Sequence, residues 1–224
     1  SNLKQEVLST SSDIGLANDG DADRLGVVDK NGDYISSLQI FALLCLHKLE
    51  FLGNKSPIVK SITMTNMIDK LGKLYDVPVF STSVGFKNIA PIMISENAMA
   101  GGEESGGYAF SNNIPERDGI LSGLLLLEMM AISGKSLSAL LELLESKVGN
   151  HYYNPIDIKI QDEQKQSLIN KLTSSPLVSI GDKKVLHFDN TDGFRYVLDN
   201  EGSWLLIRFS GTEPLLRIYA ESQS

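Results

Sequence analysis

The chain has 224 residues and a mass of 24.5 kDa, with 20 Lys and Arg against 28 Asp and Glu for a formal charge of −8. Its 42% apolar and 21% charged content is that of a globular chain of one or two domains and excludes disorder. The acidic balance argues against a broad nucleic-acid surface, and the single cysteine, Cys45, excludes an intrachain disulfide or a cysteine-rich zinc site and fits a reducing cytoplasm.

The start, SNLKQEVLST, has no apolar signal segment. The first segment reads strand–turn–strand: Asp13 to Asn18, an Asp-rich turn, then Leu25 to Asp29, with a second turn at Asn31-Gly32-Asp33. So short a segment cannot build a core alone. It either joins the next sheet or is the tail of a domain whose start is absent. A long apolar helix is expected over 37–51, a buried strand over 57–62, a helix over 66–75, a short strand over 77–81 and a helix over 86–97. A glycine-rich stretch runs from Gly101 to Gly107, and helices over 119–133 and 136–147 follow. The longest apolar run, Ile120 to Ile132, is shorter than the roughly 20 residues a membrane span needs, so it reads as a core helix and no membrane partner is expected. Strands alternating with helices predict an α/β/α layer with a parallel sheet.

The pattern changes near residue 149. Ile156, Ile158 and Ile160 alternate with Asp157 and Lys159, which predicts a half-buried strand. A helix over 162–173 and strands over 184–188, 194–198, 204–209 and 215–220 complete a small α+β domain with an antiparallel sheet.

Three constellations carry chemistry. In Asp19-Gly20-Asp21-Ala22-Asp23-Arg24, carboxylates at alternate positions sit on a turn. Crowded carboxylates repel unless a cation neutralises them, and hard oxygen ligands suit Mg²⁺. An EF-hand would need Gly and Glu where Arg24 and Lys30 stand. In Gly101-Gly102-Glu103-Glu104-Ser105-Gly106-Gly107, glycines let the backbone approach a ligand while carboxylates and a hydroxyl suit sugar hydroxyls. In Arg208-Phe209-Ser210-Gly211-Thr212-Glu213-Pro214, followed by Arg217, hydroxyls, backbone N–H groups and two guanidinium forks suit a phosphate; the plain alternative is a hairpin turn whose arginines pair with surface acids. Lys87, in Ser83-Val84-Gly85-Phe86-Lys87, enters a helix, where an unfavourable dipole would suit it to proton transfer; taken alone it reads first as a solvated surface lysine. Gly134-Lys135-Ser136 fails as a P-loop because Met129 stands where its first glycine belongs, and His47, His151 and His187 lack ligand spacing. His47, within an apolar helix, reads as structural.

In this order the motifs resemble the α-D-phosphohexomutase family of phosphoglucomutases and phosphomannomutases, over nearly the whole chain. The resemblance implies a tail of the second domain over 1–35, a third domain over 36–148 and a fourth over 149–224. It implies that Asp19, Asp21 and Asp23 bind Mg²⁺ and Arg24 supports the phosphoryl site. Glu103 and Ser105 would contact sugar hydroxyls, and Arg208, Ser210, Gly211, Thr212 and Arg217 would hold the non-reacting phosphate. Lys87 would be a proton shuttle. The family's chemistry passes through a phosphoserine and a 1,6-bisphosphate intermediate of the glucose 1,6-bisphosphate type. Its nucleophile loop, Ser-His-Asn-Pro, does not occur in this chain. The chain therefore reads as a C-terminal part whose partners are a hexose phosphate and the missing N-terminal domains, inactive alone. A non-catalytic phosphosugar-binding module and a Mg²⁺-dependent phosphatase are the alternatives. Glu103-Glu104-Ser105-Gly106-Gly107 is similar to phosphoglucomutase loops. Phosphoglucosamine mutases usually have Gln at the position of Glu104 and His at that of Gly107, so glucose phosphates are expected first, with mannose phosphates next.

Overall fold

A computed structural model describes residues 2–199, 202–211 and 213–223. Contacts divide it into two compact units, 1–149 and 150–224.

The first unit opens with a helix, α1 (Asn2–Thr10), where only strand and turn are expected. A nine-residue helix that buries only Val7 leaves little periodic signal. It packs on an antiparallel sheet of β1 (Ile14–Asn18), β2 (Leu25–Asp29) and β3 (Tyr34–Ile35), in that order. Ser36 and Gln39 then form a reciprocal capping box that starts α2 (Ser37–Leu46). Every residue from Ile40 to Leu46 is buried, as suits a helix apolar on all sides. The expected helix to Phe51 instead ends in a wide π turn over His47–Phe51, with Leu52 N–H donating to the His47 carbonyl at 3.1 Å. His47 is buried there and its Nε2 lies 2.7 Å from Glu128 Oε2.

Next come β4 (Ile58–Ser61), α3 (Met67–Tyr75), β5 (Val79–Thr82), α4 (Phe86–Ser95), β6 (Ala100–Gly102), β7 (Tyr108–Phe110), α5 (Gly119–Ser133) and α6 (Leu137–Val148). The sheet order is β5-β4-β6-β7; β4 is parallel to β5 and β6, and β7 is antiparallel. Parallel crossovers put α4 on this sheet, where Phe86, Ile89 and Met93 pack with Val59 and Ala109. The glycine run is partly strand. A Cβ on Gly101 would stand 2.3 Å from Met93 Sδ, and one on Gly102 2.6 Å from the Phe41 ring, so β6 is thin where the layers press closest. Among the described residues no single helix is long and apolar enough to cross a membrane.

The second unit holds β8 (Tyr152–Lys159), α7 (Asp162–Ser174), the short pair β9 (Ser179–Ile180) and β10 (Lys183–Lys184), then β11 (His187–Asp189), β12 (Phe194–Val197), β13 (Trp204–Phe209) and β14 (Leu215–Ser222). Its main sheet is antiparallel in the order β11-β12-β13-β14-β8. Leu168, Ile169 and Leu172 of α7 pack on Phe194, Tyr196, Ile207 and Phe209. That covers β12 and β13 and leaves β8 at the edge. The expected half-burial of β8 is therefore corrected: Ile156 is 48% and Ile158 43% exposed.

Gly102→Ala should lower stability by about 1–3 kcal/mol, because the Phe41 ring must shift to admit a methyl group. A urea midpoint equal to that of the unsubstituted chain would contradict this.

Candidate functional site

The acidic turn is a built structure. Ala22 N–H donates to the Asp19 carbonyl at 3.1 Å, and Ala22 takes a left-handed conformation (φ 58°) that reverses the chain. Alternate residues then face one point: one carboxylate oxygen from each of Asp19, Asp21 and Asp23 lies within 4.8 Å of the other two. Arg24 Nε lies 2.5 Å from Asp19 Oδ2 and 3.6 Å from Asp23 Oδ1. Burial acts to raise the Asp19 carboxyl, and the bonds from Arg24 outweigh it, holding it below the ordinary carboxylate value. Burial pushes Asp23 above that value; Arg117 opposes the rise, and Asp21 and Asp19 add to it. Three hard oxygen donors gathered on one turn fit a divalent cation such as Mg²⁺.

The sugar-type loop adjoins this turn. Leu25 N–H donates to the Gly106 carbonyl at 3.0 Å, and Arg24 bridges Gly107 as an isolated antiparallel pair. Gly106 lies at φ 94°, and a Cβ there would meet the Leu25 carbonyl oxygen at 3.0 Å. Glu103 is buried, and its Oε1 accepts from Gly85 N–H at 2.8 Å. Burial raises its carboxyl, the Gly85 bond counters this, and the charge of Glu104 adds to the rise. Ser105 is exposed at the tip. Glu104 is tied down instead: its side chain accepts from Thr63 Oγ1 and from Ser61 Oγ at 3.3 Å, and its carbonyl accepts from Ser37 Oγ at 2.5 Å. Lys87 is the second residue of α4 and is exposed.

Arg117 is the residue that motif reading missed. Its Nη2 lies 2.9 Å from Asp23 Oδ2 and its guanidinium stands 5.6 Å from the centre of the Phe86 ring. Its stem fills the space above Gly107, where a Cβ would lie 2.4 Å from Arg117 Cδ. The adjacent Asp118 caps α5, and Gly119 N–H donates to the Ala22 carbonyl at 3.0 Å, so the positive end of α5 meets the acidic turn. The Arg-Asp-Gly run was a usable signal only once its position beside both loops was known.

In the second unit the phosphate-type loop joins β13 to β14. Ser210 is buried; its N–H donates to the Leu215 carbonyl at 2.9 Å and its Oγ accepts from Glu213 N–H at 3.1 Å. Arg208 Nε donates to Asp192 Oδ1 at 3.1 Å, and Arg217 Nη2 to Glu213 Oε2 at 2.8 Å. Both arginines thus have acidic partners, the arrangement weighed as the plain alternative. Arg217 Nε is buried without a hydrogen-bond partner among the described residues, Asp157 lying 3.9 Å away. Lys165 of α7, also unforeseen, donates to the Ser210 carbonyl at 3.1 Å. Gly211 has open space around it, and Thr212 lies outside the described residues.

Residues 36–147 match the family model "Phosphoglucomutase/phosphomannomutase, alpha/beta/alpha domain III". The chain belongs to the phosphoglucomutase/phosphomannomutase family. Residues 158–224 match the same family's C-terminal domain. A phosphoglucomutase/phosphomannomutase of Thermococcus kodakarensis is 32% identical over 97% of the chain, and a phosphoglucosamine mutase of Methanocaldococcus jannaschii 34% over 99%. The chain covers 45% and 47% of those relatives. A crystal structure of a putative phosphomannomutase from Thermus thermophilus is 32% identical with a TM-score of 0.78, over 98% of this chain and 45% of that one. The phosphohexomutase fold assignment thus rests on sequence and structure together.

Arg117→Met should push the Asp23 carboxyl further up, since the opposing cation is lost while Asp19 and Asp21 remain. A pH titration of the Asp23 carboxyl by carbon NMR checks this; an unmoved midpoint would show that Arg117 does not set it.

Proposed function

We propose that this chain supplies the metal, sugar and phosphate loops of a phosphohexomutase that interconverts hexose 1-phosphate and hexose 6-phosphate. The observation that supports it most directly is the hydrogen-bonded junction of the acidic turn with the glycine-rich loop through Leu25, Gly106 and Gly107. One group suited to a divalent cation and one suited to a sugar are thereby held in fixed register, as phosphoryl transfer to a sugar hydroxyl requires.

Asp19, Asp21 and Asp23 would hold Mg²⁺, which when bound supplies neutralising charge for the transferring phosphoryl group. Arg24 keeps Asp19 ionised and oriented. Glu103 has one oxygen engaged by Gly85 N–H and offers the other to a sugar hydroxyl, with Ser105 beside it. Lys87 moves the proton of the reacting hydroxyl. Arg208, Ser210, Gly211, Thr212 and Arg217 take the phosphate that does not react, whose binding energy positions the sugar. A guanidinium has five N–H donors, more than the single bonds to Asp192 and Glu213 use.

The substrate we favour is a glucose or mannose phosphate. Arg117 fills the space that any side chain at position 107 would need, so the pocket differs from one carrying His there. Both sugars share the hydroxyl configuration that Glu103 and Ser105 would contact, so these residues do not separate them.

Titration of the chain with Mg²⁺ and with glucose, mannose and glucosamine 1-phosphates tests the reading. Asp21→Asn should weaken Mg²⁺ binding about tenfold or more, and equal affinity in the variant would count against the metal assignment. Inorganic phosphate should shift the amide signals of Ser210 and Gly211, and Arg208→Gln should reduce those shifts; a silent loop would contradict the phosphate assignment. The chain without a Ser-His-Asn-Pro segment should show no turnover, and turnover by a preparation free of host mutase would refute the division of labour proposed.

A further inference from the structure

The free edge of β8 carries a self-complementary pattern. Ile160 N–H donates to the Pro214 carbonyl at 3.1 Å, and β8 pairs β14 with Ile158 opposite Leu216 and Ile156 opposite Ile218. The backbone groups of 156, 158 and 160 therefore point to β14, and those of Asp157 and Lys159 point outward along the edge. Both residues are exposed, with the Asp157 side chain at 53%. Ile156 and Ile158, at 48% and 43%, leave an apolar strip on one face of this edge. Long exposed edges of this kind are templates for pairing unless blunted.

We propose that β8 pairs antiparallel with β8 of a second copy of this chain, about a two-fold axis at Ile158. In that register Asp157 stands opposite the partner's Lys159, and Lys159 opposite the partner's Asp157. Each of these pairs exchanges both backbone hydrogen bonds and brings opposite charges together on one face. On the other face Ile158 meets the partner's Ile158, and Ile156 meets the partner's Ile160. The same patch serves both copies, as a two-fold interface requires.

The charges also reject the neighbouring registers. A shift of two residues one way sets Asp157 against the partner's Asp157; the other way, Lys159 against the partner's Lys159. A shift by an odd number turns the hydrogen-bonding groups out of alignment and the isoleucines to the wrong face. Pro155 has no N–H to offer, so the ladder ends there and does not extend into open-ended pairing. A second copy is favoured over an unrelated strand because one segment, Ile156-Asp157-Ile158-Lys159-Ile160, supplies both halves of the complementarity.

Sedimentation of the 224-residue chain over a wide concentration range tests this. A reversible monomer–dimer equilibrium is expected, with Asp157 and Lys159 amide protons gaining exchange protection as the dimer fills. Asp157→Lys alone or Lys159→Asp alone should each weaken the dimer by about tenfold, because like charges then face each other twice. Mixing those two variants should restore a heterodimer, and the double exchange in one chain should restore the homodimer. A chain that stays monomeric throughout, or a dimer indifferent to these exchanges, would overturn the proposal. So would single exchanges that weaken the dimer without recovery on mixing. Circular dichroism checks that the exposed substitutions leave the fold intact.

Discussion

The close approach of three backbone segments governs the first unit: the acidic turn, the glycine-rich loop and the start of α5. Gly107 has no room for a Cβ against Arg117, and Gly119 none against Asn18 Nδ2 and the Arg24 carbonyl, at 2.4 and 2.5 Å. Where side chains are absent, backbone groups pair directly, as Leu25 does with Gly106 and Gly119 with Ala22. Position in this site is therefore set by main-chain bonds, which are stiffer than contacts between long side chains.

Charge is handled by the same geometry. Three carboxylates crowd one turn in a chain of formal charge −8. Arg24 and Arg117 approach from two sides, and the N-terminus of α5 adds its dipole from a third. Asp23 still sits above the ordinary carboxylate value, because its burial outweighs the opposing charges of Arg117 and Arg24. In the second unit the local arginines are likewise balanced by Asp192 and Glu213.

Much of the architecture was legible from periodicity and punctuation. The strand at 25–29, the helix at 119–133 and the strand at 204–209 have the bounds expected of them. What failed to show had weak local signals. The helix α1 buries a single side chain, β6 is built on glycines, and the break between α2 and the π turn carries no glycine or proline to mark it. The burial of β8 was misread because alternation reports which residues share a face, and only the placement of α7 decides whether that face is covered.

By itself the sequence determined the α/β order, the lack of a disulfide within these 224 residues and three chemically distinct loops, because composition, alternation and glycine spacing are local properties. Tertiary structure alone decided that Arg117 stands against Asp23, that Glu104 is anchored by Ser61 and Thr63 while Glu103 accepts from Gly85, and that Lys165 reaches the Ser210 carbonyl. Those partners lie far apart along the chain or on separate elements. Their meeting depends on how layers pack, which no local pattern encodes.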